Sequence, residues 1–574
     1  MKLQPILEYV HEKISALGRE NNVLVDRDFF MGFYIDDGNI IAPRKLMVPL
    51  IQLLSTVGPK VGFHIKPTKG SYLMAKSLPE TNALADKEEL CELLHLSPSV
   101  VHVHPDDCPA SAHEYGVKIL GSYLGSDEYV KRMLASHLSE LSQVADNLIE
   151  YPDLQGRMLL FRKCFLMKPV HLFRTMPPLL IADFIRGFDE IKMRILCSIL
   201  GCTVGELSTT HLKIINLPLA KGGLGLRDLD DVAACSFIAS MLQENFRSWR
   251  NGVDLLDLPS TLFQQLKELL VSLNLDPVMV FNLDSSFKAR VHLQHQLQDI
   301  VDKNRFECLE NLPMDETHKT HWKNHWSEDS AAWLTCIPKI PSFKMPPMTF
   351  RSALRYRLHI PASLHQAGIR CNCKSRKLLD PFGHHLATGC CKGGRKILTH
   401  DIVKYEVGNI LRYCGKHIKI EESGVFHHTN SDDNKRPDIT VFYPSGGVAT
   451  RLLLDVCVPQ PIVGAPGSAL NKAFDAKQRK YRDSIALSGF SFLPLVVEST
   501  GMLHPRFSLF LKTLASSASE IRRIPAECLH KYFIRRLVFK LAGAIASNIN
   551  ERYFTVNSHS EQLDIGFHPS VILG

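Results

Sequence analysis

The sequence lacks long hydrophobic runs, repeats and an apolar leader. No stretch approaches the roughly 18–20 uncharged apolar residues that a membrane-spanning helix needs. Residues 1–17 are amphipathic and charged, unlike a secretory signal. There is no internal repeat, no low-complexity segment, and only four tryptophans among 574 residues. We therefore expect a globular protein of a reducing intracellular compartment, without a membrane partner.

Composition is that of an ordinary globular chain, with 45% apolar and 22% charged residues. Its length exceeds what one hydrophobic core supports and predicts about three to five domains. The net charge of +8 is mildly basic and suits a polyanionic partner. The 15 cysteines are expected to be free thiols or metal ligands rather than disulfides.

One stretch, residues 436–481, organises the interpretation. Arg436-Pro437-Asp438 precedes the apolar run 439–443, and a Gly446-Gly447 turn leads to a second apolar run, 452–458, which contains Asp455. This pattern predicts a β-hairpin that brings Asp438 and Asp455 together. Two such carboxylates, completed by water and phosphate oxygens, would hold Mg²⁺ or Mn²⁺.

The helix predicted after this hairpin carries Lys477 and Lys480 three residues apart, and therefore on one face. Two carboxylates and a lysine are suited to metal-assisted cleavage of a phosphodiester. The alternative is that the acids are ordinary strand-end residues and the lysines a solvated helix face.

A second constellation is Cys371, Cys373, His385 and Cys390, which follows a short basic helix predicted at 350–358. Thiolates and an imidazole at short spacing in a glycine-containing loop predict a structural zinc site. His384 and Cys391 are competing ligands. The zinc would stabilise a small module that cannot bury a core of its own.

Near the start, Asp36-Asp37-Gly38 separates two apolar runs. Paired carboxylates at a tight turn are what a Mg²⁺-dependent nucleotidyl-transfer site requires. An Asp-Asp-Gly hairpin turn without catalytic function fits the same residues.

In context, Tyr34-Ile35-Asp36-Asp37 resembles the Tyr-x-Asp-Asp box of the reverse transcriptase palm. The stretch 62–69, with Lys69, is similar to the next palm motif, and 119–125 resembles the primer-grip hairpin. A long helix predicted over 129–151 would be the thumb. Residues 217–227 resemble a sequence found downstream of the thumb in non-LTR retrotransposon polyproteins.

The resemblance is incomplete, because only about thirty residues precede the Asp36-Asp37 pair. The finger residues and the earlier palm carboxylate of this family are not seen. We therefore expect the chain to be the C-terminal portion of a polyprotein and its polymerase half to be inactive alone.

Residues 231–345 show helical patterns interrupted by prolines. Trp322, Trp326 and Trp333 fit either buried helix anchors or base-stacking residues. The prolines between 338 and 347 predict a linker.

The cysteine cluster, with its lead-in 380–383, resembles the zinc knuckle of site-specific non-LTR retrotransposons. The region after it resembles their restriction-like endonuclease, whose elements run α-β-β-β-α-β. This resemblance implies catalytic roles for Asp438, Asp455 and one of the two lysines, with Glu406 as a further candidate. Cys457 occupies the position where many nucleases of this fold place the lysine, so the choice between Lys477 and Lys480 stays open. The resemblance also implies nucleic-acid contacts, at Arg395, His400, Asp401, Arg436, Tyr481 and Lys69.

The expected fold class is therefore multidomain α+β and α/β. Its predicted segments are a partial reverse transcriptase palm (1–128), a helical thumb (129–230), a helical connector (231–348), a zinc knuckle (349–394), a mixed-sheet nuclease of PD-(D/E)xK type (395–502) and a helical tail (503–574). The expected function is nicking of target DNA for reverse transcription of element RNA in the nucleus, without small-molecule cofactors beyond Zn²⁺ and Mg²⁺ or Mn²⁺. The alternative is a non-catalytic nucleic-acid-binding remnant of a decayed or co-opted element.

Overall fold

The structure, a computed structural model, describes residues 4–21, 29–34, 37–66, 70–77, 82–250, 260–276, 292–362, 368–371, 373–390, 395–427, 434–443, 450–461 and 464–560. It mixes helices with small sheets, which confirms the expected α+β class at this coarse level. Two compact units are present: Met1–Leu141 with Thr175–Phe184, and Ser142–Arg174 with Ile185–Gly574. No described helix has the length and apolar character needed to cross a bilayer.

The first unit pairs short helices with three two-stranded sheets, β1–β2 and β5–β6 antiparallel and β3–β4 parallel. Its elements are α1 (Gln4–Glu20), β1 (Phe30–Tyr34), β2 (Asp37–Ile41), α2 (Arg44–Val57), β3 (Tyr72–Leu73), α3 (Ala83–Leu94), β4 (Val101–His102), β5 (Gly116–Ile119), β6 (Ser122–Gly125) and the start of α4 (Asp127–Glu150).

Helix α1 shows why these elements form. Its apolar residues recur at helical spacing, and Val10 and Ile14 pack against Leu46 and Leu50 of α2. The predicted hairpins are also present: Tyr34 pairs with Asp37 across the first turn, and β5 and β6 form the second.

The remaining helices and strands fall mostly in the second unit. They are α5 (Leu154–Leu160), α6 (Val170–Thr175), α7 (Ala182–Leu200), α8 (Thr209–Asn216), α9 (Leu229–Arg250), α10 (Ser260–Ser272), α11 (Leu293–Glu310), α12 (Glu316–Lys323), α13 (Glu328–Ala331), α14 (Pro347–Arg357), α15 (Arg395–Tyr413), β7 (His417–Ile420), β8 (Ile439–Tyr443), β9 (Thr450–Cys457), α16 (Ser468–Ser488), β10 (Ser491–Val496), α17 (Pro505–Arg522) and α18 (Ala526–Ser560).

The four-stranded sheet of this unit has the order β10-β9-β8-β7. Strands β7, β8 and β9 are antiparallel neighbours, whereas β10 runs parallel to β9. A parallel neighbour requires a crossover connection, which α16 provides. The chain order from α15 to β10 is α-β-β-β-α-β, so the element order predicted for residues 395–502 is confirmed.

Helix α14 corresponds to the basic helix predicted at 350–358, but two of its arginines are buried. Arg355 and Arg357 are 4% and 2% exposed. Arg357 donates to the backbone carbonyls of Leu219, Gly223 and Ser330 at 2.8–3.4 Å. A guanidinium offers five N–H donors, so it can bond to several backbone carbonyls at once. Within α14 these arginines therefore hold neighbouring backbone segments together.

The proline-rich segment predicted as a linker is packed. Gln155 on α5, 2% exposed, donates to the carbonyls of Cys336 and Phe343 and accepts the N–H of Met345. The nearby tryptophans bear out the packing alternative, because Trp322 and Trp333 are 2% and 3% exposed. A buried amide side chain that meets three backbone groups fixes this stretch in place.

Helix α18 is the longest helix of the described residues. It packs on several helices of the second unit and does not form a separate tail. It contacts α14, α15, α17 and the π-helical turn His385–Gly389. In its basic part, Phe533 and Leu537 are fully buried, whereas Lys531 is exposed and pairs with Glu527. One face of α18 therefore belongs to the core of the second unit.

Candidate metal-binding sites

Four side chains between α14 and α15 form a metal-binding geometry. The ligand atoms of Cys371, Cys373, His385 and Cys390 all lie within 4.8 Å of one another. The Sγ atoms of Cys371 and Cys390 are 3.6 Å apart, and Cys373 Sγ is 3.5 Å from His385 Nε2. A disulfide requires about 2.05 Å, whereas tetrahedral zinc with Zn–S bonds of about 2.3 Å separates its sulfurs by about 3.8 Å. The cluster could therefore bind zinc.

The loop around this cluster is fixed by backbone pairing and by one carboxylate. Cys371 N–H donates to Lys377 O at 2.8 Å. Asp380 accepts the backbone N–H groups of Phe382, His384 and His385 at 2.9–3.1 Å. A carboxylate that collects several N–H groups orders a turn in the way that an N-cap does. Asp380 thus fixes the turn that carries His385.

The thiols of this cluster differ electrostatically. The hydrogen bond between Cys373 and the Ser375 hydroxyl lowers the pKa of Cys373 to about 6, whereas burial raises the pKa of Cys371. Of the competing ligands, His384 turns away, with its Nε2 3.1 Å from His359 Nε2 in a buried histidine group. Cys391 lies outside the described residues.

The second candidate site lies at the sheet. Asp438 immediately precedes β8 and Asp455 lies in β9, and the register pairs Ile439 with Leu454. Antiparallel pairing with this register places the two acids opposite each other. One ligand atom from each acid and one from His400 lie within 4.8 Å of one another. The structure therefore brings Asp438 and Asp455 together as the hairpin interpretation requires.

Burial makes this acid pair electrostatically unusual. Asp455 is 4% exposed. Burial, with the hydrogen bond to Asp438, raises the pKa of Asp455. Burial acts in the same sense on Asp438, but hydrogen bonds from His400 and Asp455 outweigh it and lower its pKa. When two carboxylates lie this close together and are shielded from water, a shared proton or a cation between them is needed to offset their repulsion.

The structure separates the two candidate lysines. Lys477 Nζ lies 2.9 Å from Asp455 Oδ2. Burial acts to lower the pKa of Lys477, but the charge of Asp455 raises it overall, so the ammonium is retained at neutral pH. Lys480 is exposed, with Nζ 4.9 Å from the centroid of the Tyr481 ring. The amine beside the acids is therefore that of Lys477.

Other predicted residues divide between this site and the core. His400 bonds to Asp401 and to Asp438. The predicted nucleic-acid contacts His400 and Asp401 therefore lie beside the Asp438–Asp455 pair rather than on an open surface. Tyr481, predicted to contact nucleic acid, is fully buried and donates to Arg436 O at 2.9 Å. That prediction was wrong for the structure as it stands, because a side chain packed in this way has no surface to offer.

Glu406 is not at the acid pair. It is 5% exposed, and its Oε2 accepts Arg536 Nη2 from α18 at 3.2 Å. Arg436 is half exposed and pairs with Glu421 at 3.3 Å. Arg395 begins α15, and its side chain is not described.

One residue of the network beside the acids was missed from sequence. Lys404, 1% exposed, bonds to Asp401 at 2.7 Å and to Glu421. Its spacing of three from Asp401 was the available signal, because residues three apart share a helix face.

For the reverse-transcriptase-like stretch, Asp36 and Lys69 lie outside the described residues. Asp37 is the first residue of β2, and its side chain is not described. Only the hairpin that carries this pair is therefore observed.

Comparison with known proteins gives one informative likeness. No family model matches the chain. The chain is 26% identical over 152 residues to the retrotransposable element SLACS 132 kDa protein of Trypanosoma brucei gambiense. The match covers 24% of this chain and 12% of that protein. It supports a retrotransposon-related origin and role for this chain.

Proposed function

We propose that this chain is part of a retrotransposon reverse transcriptase–endonuclease, and that residues 395–502 are its DNA-nicking domain. The observation that carries the proposal is the buried group formed by Asp438, Asp455 and Lys477, in which both contacts of Asp455 are with charged neighbours. In this proposal residues 1–128 and 129–230 are palm and thumb segments, residues 349–394 are a zinc knuckle, and residues 231–348 connect the thumb to the knuckle. The partners are target DNA and element RNA, and the compartment is the nucleus.

The residues fit a divalent cation by charge and by donor type. The two carboxylates face one ammonium and the imidazole of His400, so a cation between the acids would meet two acidic groups at once. Carboxylate oxygens are the ligands preferred by Mg²⁺ and Mn²⁺. Asp438 and Asp455 would hold the ion, which when bound supplies Lewis-acid polarisation of the scissile phosphate and activation of water.

The protein's own groups act on the phosphate as follows. Lys477 places a retained positive charge beside the carboxylates, where the negative charge of the phosphorane-like transition state develops. Asp438 is fixed by the N–H of Val456 at 2.6 Å, so it does not reorganise during the step. The exposed Arg436 and the knuckle are suited to sequence-independent phosphate contacts that position the duplex.

The direct test is a plasmid-nicking assay with purified protein and Mg²⁺ or Mn²⁺. Conversion of supercoiled to open-circular DNA by the wild type, and its loss in Asp455→Ala, are expected. The matched control is Asp483→Ala, an exposed acid on α16 away from the acid pair. DNA binding without metal-dependent nicking would overturn the enzyme and favour the non-catalytic remnant.

A further inference from the structure

The acid pair has a third neighbour whose chemistry differs from that of a carboxylate. His400 Nε2 lies 3.0 Å from Asp438 Oδ2, and His400 belongs to the same close group as Asp455. In an octahedral shell with bonds of about 2.1 Å, adjacent ligand atoms are separated by about 3.0 Å. The imidazole nitrogen and the carboxylate oxygen are therefore already at the separation of neighbouring ligands on one ion.

The other ring nitrogen of His400 contacts a carboxylate on the side away from the acid pair. Nδ1 is 3.1 Å from Asp401 Oδ1, and the same oxygen accepts Lys404 Nζ at 2.7 Å. Metal-ligating histidines almost always donate the second ring N–H to a carboxylate, which fixes the tautomer and the ring orientation. Asp401 occupies that position here and orients the ring so that Nε2, which hydrogen-bonds to Asp438 Oδ2, points at the acids.

Lys404 completes this arrangement. Its ammonium is 1% exposed and sits between Asp401 and Glu421, whose other oxygen is 3.3 Å from Arg436. A buried lysine is costly unless it is paired. The network therefore restrains Asp401 far more tightly than a solvated carboxylate would be restrained.

We propose that His400 Nε2 is the third protein ligand of a divalent cation held by Asp438 and Asp455, and that Asp401 and Lys404 are positioning residues for that ligand. This inference takes the position of the cation from the proposed function. It adds which class of metal ion the site prefers. An imidazole nitrogen favours transition metals, whereas Mg²⁺ and Ca²⁺ prefer all-oxygen shells. The site therefore binds Mn²⁺ in preference to Mg²⁺.

Mn²⁺ binding to the full chain, purified with its zinc, tests this without reference to nicking. Free Mn²⁺ is followed by its electron paramagnetic resonance signal, and Mg²⁺ is used as competitor. Wild type is expected to bind Mn²⁺ at least tenfold more tightly than Mg²⁺. His400→Ala is expected to lose at least tenfold in Mn²⁺ affinity and most of the preference. Asp401→Asn is expected to lose 10- to 100-fold.

The control is His417→Ala, an exposed histidine on the edge strand β7, which is expected to leave Mn²⁺ affinity unchanged. A direct signature is the ¹⁴N modulation of an imidazole on bound Mn²⁺ in pulsed spectra, expected in wild type and absent in His400→Ala. Circular dichroism establishes that each variant is folded.

The outcomes separate the inference from the proposed function. Loss of Mn²⁺ binding in Asp455→Ala, with unchanged affinity and ¹⁴N modulation in His400→Ala, overturns the histidine ligand and leaves the acid site intact. Unchanged binding in both variants, or no Mn²⁺ binding by wild type, overturns the acid site as well.

Discussion

Asp438 accepts the backbone N–H of Val456, the residue that follows Asp455 on the neighbouring strand, at 2.6 Å. One acid is thereby anchored to the backbone that carries the other. Separation of the two carboxylates would require breaking a charge-assisted hydrogen bond inside the sheet. The acid pair is therefore a property of the β8–β9 hairpin itself, and it does not depend on flexible loops.

The first prediction concerns the two lysines of α16. Lys477→Ala is expected to lower the nicking rate by roughly 10²–10³-fold, because it removes the cation that faces the developing charge. Lys480→Ala, one turn further on and exposed, is expected to lower it by less than about threefold, a loss expected of one phosphate contact. Single-turnover nicking at saturating protein measures both, and equal losses would contradict the assignment of Lys477.

The second prediction concerns zinc. The purified protein is expected to contain one zinc per chain by elemental analysis, and Cys390→Ser to contain none, because a three-ligand structural site is incomplete. Loss of the metal is expected to lower the free energy of unfolding by about 3 kcal/mol or more. Cys164→Ser changes an exposed cysteine outside the cluster and is expected to retain zinc and stability.

The third prediction is a pH dependence of stability. Glu498 is fully buried, and burial raises its pKa to about 7. A raised carboxyl pKa favours the protonated folded state, so this contribution is complete below the ordinary pKa of 4.5 and is lost as pH rises through about 7. Glu498→Gln imitates the protonated form. The variant is expected to match wild type at pH 4 and to exceed it by about 3 kcal/mol at pH 9.

Urea unfolding across this pH range measures the Glu498 effect. Glu520→Gln, an exposed glutamate on α17, supplies the control and is expected to show the wild-type pH profile. A parallel profile for Glu498→Gln would show that the buried carboxyl does not govern the pH response.

The fourth prediction concerns the buried arginines of α14. Arg357→Met is expected to destabilise the second unit by about 3 kcal/mol, because it removes the guanidinium hydrogen bonds to the carbonyls of Leu219, Gly223 and Ser330. DNA affinity is expected to stay within about twofold of wild type. Arg479→Met on the exposed side of α16 is the control for loss of a charge. If Arg357→Met instead weakened DNA binding and left stability unchanged, Arg357 would contact DNA and would not support the fold.

Local patterns predicted the elements around the acid pair well. The apolar runs of β8, β9 and β10 and the glycine-containing connection carry enough information to place Asp438 against Asp455. The cysteine and histidine spacing likewise predicted a ligand set that the structure brings together. These features are decided within about twenty residues of chain, where sequence patterns are most informative.

What failed depended on distant contacts. His400 and Glu406 are six apart on α15, which places them about 120° from each other around the helix. Only the packing of α15 decides which of them meets the sheet, and the partner of Glu406 is Arg536, 130 residues later. The arginines of α14 form a basic pattern in the sequence, and nothing in that pattern shows that the carbonyls of Leu200, Leu219 and Gly223 accept their hydrogen bonds.

The described side chains of helix α18 offer no ligand to either candidate metal site, yet the helix contacts the residues around both. Asn548 donates to Thr399 Oγ1, next to His400, at 2.8 Å, and Ile549 lies against Gly383 beside the knuckle. A stop codon before residue 526 would therefore spare every metal-binding side chain while removing their common support.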